Sequence, residues 1–82
     1  MPQVIHSSQN LGAELRNWRR ARAMTQSMAA HRIGLAQKAI SALETHTGQS
    51  SIARLLQVLS ALDLELVLRD KRDGSLVGSQ DW

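Results

Sequence analysis

The chain has 82 residues, of which 43% are apolar and two, both Trp, are aromatic, with no cysteine. With no Tyr and no Phe the core is aliphatic, and a domain this small buries only about 60% of the surface its unfolded chain exposes, so it gains from association and has little room for a substrate pocket; without cysteine there is no disulfide framework, thiol nucleophile or thiolate metal site. The net charge of +3 is uneven, since Met1 to Leu62 sets seven Lys or Arg against Glu14 and Glu44, while Asp63 to Trp82 sets three basic residues against five acidic ones, and a basic N-terminal part suits a polyanionic partner.

In chain order, Met1 to Ser7 carries little pattern and reads as a mobile arm or short extended segment. Ser7 or Ser8 is placed to cap a first helix that runs to about Arg22. Its apolar positions Leu11, Leu15 and Trp18 recur at helical spacing and are expected to face the core. Arg16, Arg19 and Arg20 take the remaining circumference. Thr25 is the expected N-cap of a second helix, with Gln26 in its first turn, where free backbone N–H groups and the helix dipole suit a phosphate.

Gly34 supplies the positive φ that ends this helix and begins a tight turn. A third helix is expected over about Gln37 to Thr45. Gln26, Ala30, Gly34, Ile40 and Leu43 then fall at the spacing of a helix-turn-helix. Ala30 is small enough for close helix crossing, and Ile40 and Leu43 share the inner face. The outer face, carrying Gln37, Lys38, Ser41 and Ala42, is short and uncluttered, the kind that enters a DNA major groove.

Thr45 to Gln49 reads as a loop containing Gly48. Ser50 or Ser51 caps a fourth helix, in which Ile52, Leu55, Leu56, Leu59 and Leu62 form an amphipathic stripe assigned to the core. The period then becomes two. Leu62, Leu64, Leu66 and Leu68 alternate with Asp63, Glu65, Val67 and Arg69, which argues for a strand. A lone strand is not stable in water, and the chain offers no second strand of similar quality, so this one is expected to pair with its copy in a homodimer. Residues 1–69 thus form the DNA-binding and dimerisation domain, and 70–82 a flexible tail ending in Trp82, a residue type favoured as an interface anchor.

Through Thr25-Gln26, Ala30, Gly34, Ile40, Leu43 and Glu44, residues 11 to 62 resemble the XRE (Cro/CI-type) helix-turn-helix family. Within it, the segments TQS (25–27), IGLAQ (33–37), IS (40–41) and LDLELVLRD (62–70), with the terminal Asp81-Trp82, are similar to the HipB antitoxins. The resemblance implies a mainly α, lambda-repressor-like domain of four to five helices, plus one C-terminal β-strand that joins its copy across a homodimer. It further implies palindromic operator binding in the protein's own promoter and neutralisation of a HipA-like Ser/Thr kinase toxin, contacted by Asp81 and Trp82. A stand-alone XRE-type repressor with no toxin is the alternative.

On this reading Gln37, Lys38, Ser41 and Ala42 face bases, with Gln37 suited to adenine and Lys38 to guanine. Gln26, Arg16, Arg20 and Arg32 meet phosphates, and Leu64, Leu66 and Leu68 form the dimer strand. No cofactor or metal is implied, because His6, His31 and His46 lack ligand spacing, and the protein is not expected to be an enzyme. With no membrane span or export signal, the expected location is cytoplasmic, nucleoid-associated when bound to DNA.

Two departures from the family matter. A Leu is usual where this chain has Ala29, and the missing volume would cost roughly 2–5 kcal/mol if left empty; Trp18, or else Met28, is the expected filler. Ala36 stands where the family often has Ser, Thr or Lys, so the third helix lacks a side-chain cap.

Overall fold

The computed structural model describes residues 4–76. Four α-helices follow one another: α1 (Ser8–Ala21), α2 (Gln26–Arg32), α3 (Gln37–Thr45) and α4 (Ile52–Ala61), with a short 3-10 turn, Thr47–Gln49, between the last two. None is long and apolar enough to cross a membrane.

The starts of these helices follow from side-chain chemistry. The hydroxyls of Ser7, Thr25 and Ser51 accept from the backbone N–H groups of Asn10, Met28 and Arg54, satisfying donors that have no partner inside the first turn. At α3 the cap is Ala36, whose backbone is extended and which offers no side-chain hydrogen bond.

Three of the four helices end alike. After α1, Ala23 takes φ +55°; after α2, Gly34 takes φ +68°; after α4, Asp63 takes φ +57°. In each case the left-handed residue donates to a carbonyl three residues back and the next residue donates to one five back: Ala23 to Arg20 and Met24 to Arg19, Gly34 to His31 and Leu35 to Ala30, Asp63 to Ser60 and Leu64 to Leu59. These are Schellman closures, which fold the following apolar residue back onto the helix. Met24, Leu35 and Leu64, the three residues so placed, all pack against the core.

That core joins Leu15, Ala29, Ala30, Ile40, Leu43, Leu55, Val58, Leu59 and Leu62. It corrects the expected faces of two helices. Trp18 is 41% exposed, with the Arg22 guanidinium 5.0 Å from its ring centroid, while Arg19 turns inward and is buried. Leu11 and Leu15 admit either continuation, since three or four residues later lies on the same face; the helix takes the one that gives Arg19 a buried acid. On α4, Val58 is buried, whereas Ile52 and Leu56 are 66% and 47% exposed. The apolar stripe of α4 is wider than one domain covers.

Ala29 is fully buried, but neither expected filler reaches it, because Trp18 and Met28 both lie exposed. The aliphatic cluster around it is instead closed by Leu11, Met24, Ile33, Leu35 and Leu64. Gly12 permits the close crossing of α1 over the end of α3, since a Cβ there would collide with the Thr47 hydroxyl and the Glu44 carbonyl oxygen.

Beyond Leu64 the chain carries no helix and no paired strand through Leu68. Arg69 and Leu76 then form an antiparallel bridge across a turn in which Asp70 N–H donates to Ser75 O at 2.6 Å and Gly74 N–H to Asp70 O at 2.8 Å. The expected strand is therefore unpaired within the described part of one chain.

Candidate nucleic-acid interface

On α3, Ile40, Leu43 and Glu44 are buried, which leaves Gln37, Lys38 and Ala42 exposed and Ser41 partly so. The four residues expected to read bases thus share the outer face of one helix. The Ser41 carbonyl accepts from the Thr45 hydroxyl at 2.8 Å, a local bond that leaves the face itself clear.

What positions that face is a hydrogen-bonded chain starting in the core. Arg19 approaches Glu44 side-on, Nε to Oε2 at 2.7 Å and Nη2 to Oε1 at 3.2 Å, and its Nη1 donates to the Met24 carbonyl at 2.7 Å. Such a paired geometry is the strong form of an Arg–carboxylate contact. Arg16 Nε adds a longer contact to Glu44 Oε1 at 3.4 Å. Gln26 Nε2 donates to the same Oε1 at 3.1 Å, and Gln37 Nε2 donates to Gln26 Oε1 at 2.6 Å.

The direction of this chain is set by the acid. An ionised carboxylate only accepts, so Gln26 must turn its NH2 towards Glu44 and its oxygen outward. Gln37 must then spend one N–H on Gln26. It keeps its oxygen and a second N–H, one acceptor and one donor side by side. Burial acts to raise the pKa of Glu44, but the hydrogen bonds from Arg19 and Gln26, the Arg19 charge and the Arg16 hydrogen bond outweigh it and hold the group below the ordinary glutamate range.

The expected phosphate residues divide. Arg16 reaches the network from its edge with a side chain 39% exposed, and Arg20 is exposed on the same helix. Gln26 has its amide committed to Glu44 and Gln37. Arg32 closes the opposite end of α2 from Gln26, about 9 Å along the helix, and faces Asp63 at 3.9 Å. Of the expected dimer-strand residues, Leu64 packs on its own core, while Leu66 and Leu68 are exposed. Asp81 and Trp82 lie outside the described residues.

Sequence reasoning missed Arg19 as the anchor. The available signal was Glu44, four residues after Ile40 on the inner face of α3, where a carboxylate needs a buried cation.

Residues 15–68 match the helix-turn-helix family. The chain belongs to this family, in its XRE type, and its fold is that of a DNA-binding domain. More particularly, it is similar to HipB. It superposes on a HipB variant in an O2 20mer complex with a TM-score of 0.83 at 26% identity, covering 88% of this chain and 100% of that one. On HipB in a HipA–HipB–O2–O3 complex it gives a TM-score of 0.82 at 28% identity, covering 87% and 100%. It is also 36% identical over 69 residues to an uncharacterized HTH-type transcriptional regulator, y4dL, of Sinorhizobium fredii, covering 84% of this chain but 35% of that protein. The chain therefore spans about a third of that relative's length.

Proposed function

We propose that the protein is a dimeric antitoxin and autorepressor that binds palindromic operator DNA and neutralises a HipA-like Ser/Thr kinase, acting in the cytoplasm and on the nucleoid. The observation that carries the DNA half is the Glu44–Gln26–Gln37 chain. It leaves Gln37 with one donor and one acceptor, the complement of the N7 and N6 edge of adenine in the major groove. Lys38 beside it suits guanine, Ser41 is permissive, and Ala42 suits a thymine methyl. Arg16 and Arg20 reach phosphates and set register. A two-fold axis would put two such helices roughly 34 Å apart, one DNA turn.

The test is binding to a labelled fragment of the protein's own promoter and to random DNA. Gln37→Ala is expected to weaken specific binding by roughly 1–3 kcal/mol and random binding little. Arg20→Ala is expected to weaken both alike and flatten the salt dependence. Equal loss on both DNAs from the Gln37 change would remove its base-reading role.

Support for the toxin half comes from likeness to HipB in a structure that also contains HipA, and from the Asp81-Trp82 pair that the resemblance to HipB antitoxins assigns to toxin contact. Co-purification from native cells with a kinase-sized protein, reduced by Trp82→Ala, is the expected outcome. A stand-alone repressor, favoured by the likeness to a transcriptional regulator, would co-purify with no such partner.

A further inference from the structure

A shallow, largely open groove lies where the end of α1 meets α2, lined by Arg22, Met24, Ser27, Met28, His31 and Arg32. It runs along one side of α2 from Ser27 to Arg32, and neither Gln26 nor Gln37 lines it. Two thioether side chains give it a soft, apolar floor of the kind that adapts to an aromatic ring. Its rim is cationic. Arg22 and Arg32 share one carboxylate, Asp63 Oδ2, at 3.3 Å and 3.9 Å, and their side chains remain 36% and 47% exposed. Two guanidiniums facing one acid leave room for a second anion.

Arg69 and Leu76 are paired antiparallel, and a pairing carried further in that sense would set each residue after Leu76 opposite one before Arg69. Continued in that register, the six residues from Val77 to Trp82 would bring Asp81 opposite Leu64 and Trp82 opposite Asp63. Asp63 is the residue already held at the groove by Arg22 and Arg32. Six residues span about 20 Å when extended, the same chain length that separates Asp63 from Arg69, so the reach suffices even without a continuous ladder.

We propose that this groove is the resting dock of the chain's own C-terminal pair, with the Trp82 indole on Met24 and Met28 and the Asp81 carboxylate shared by Arg22 and Arg32. The dock is a property of the free protein and does not rest on the toxin reading; a partner that captured Trp82 would have to lift it from the groove.

The test uses the full chain with Trp18→Phe, which leaves Trp82 as the sole fluorophore. The native protein is expected to show blue-shifted Trp82 emission shielded from acrylamide, and Met28→Glu, on an exposed side chain, to abolish both. In the otherwise native protein, Trp82→Ala is expected to move the backbone amide resonances of Ser27, Met28, His31 and Arg32. Trp82 emission identical in buffer and in urea, or groove amides unmoved by Trp82→Ala, would overturn the proposal. So would magnetisation transfer between Trp82 and Met28 seen only across differently labelled copies, which would make the groove a contact between two chains.

Discussion

Glu44 shows how one buried charge orders polar side chains on three helices. Its side chain is 2% exposed, with Arg19 2.7 Å away and itself almost buried. Removing one partner of such a pair strands the other in a poorly solvating site, at a cost of about 3–5 kcal/mol. Arg19→Met is expected to lose that much in equilibrium urea unfolding, and Arg19→Met with Glu44→Leu to regain most of it, since the double variant leaves no orphan charge. The pH dependence has a definite sign. Because the folded state holds Glu44 below its ordinary pKa, its contribution is complete above the unfolded value, about 4.3. It is lost as pH falls from there through the lowered folded value. Stability of the native protein is therefore expected to fall on acidification across this range, and that of Glu44→Gln to fall less, as followed by urea midpoints. Gln26→Ala touches the same chain further out. It removes the acceptor that orients Gln37, and is expected to reduce operator discrimination in the way Gln37→Ala does, but less.

The helices were legible at their beginnings and much less so at their ends. Ser7, Thr25 and Ser51 announce α1, α2 and α4 because a hydroxyl accepting from the third residue on is a local, sequence-visible device. Of three Schellman closures only the one at Gly34 carries the residue that advertises it; Ala23 and Asp63 enter the left-handed region without glycine, held there by the burial of Met24 and Leu64. The same tertiary choice decided which of Trp18 and Arg19 went inside, a matter that helical period alone leaves open. The exposed outer face of α3 was legible because it needs only the complement of Ile40 and Leu43. The Arg19–Glu44–Gln26–Gln37 chain joins three helices, and no single periodicity contains it. Two substitutions test the energetics of these ends. Left-handed backbone costs an L-residue roughly 1–2 kcal/mol, partly offset by the larger unfolded-state entropy of glycine, so Ala23→Gly is expected to stabilise by under about 1 kcal/mol. Ala36→Ser supplies the missing cap of α3, worth about 1 kcal/mol, and is expected to raise Tm by about 4–8 °C. A melting curve unchanged by Ala36→Ser would mean that the first N–H groups of α3 are already satisfied.

At the scale of the whole molecule, the described chain leaves apolar surface that one copy does not cover. Leu66, Val67 and Leu68 are exposed along a stretch without a strand partner, and Ile52 and Leu56 are exposed on α4. Leu64, at the start of that stretch, already serves its own core, so the pairing residues available to a second copy begin after it. Two such segments joined across a two-fold axis would satisfy each other's backbone groups and cover the leucines, and would fix the separation of the two α3 helices. Leu66→Lys with Leu68→Lys removes nothing from the core and is expected to leave the helical circular dichroism and the single-copy fold intact. It is expected to convert a dimer into a monomer in sedimentation velocity, and to reduce affinity for a full palindrome to that for one half-site, because the second half-site then binds without a tether. Ile52→Glu separates the two exposed surfaces. Dissociation by Ile52→Glu but not by the leucine pair would move the dimer contact to α4.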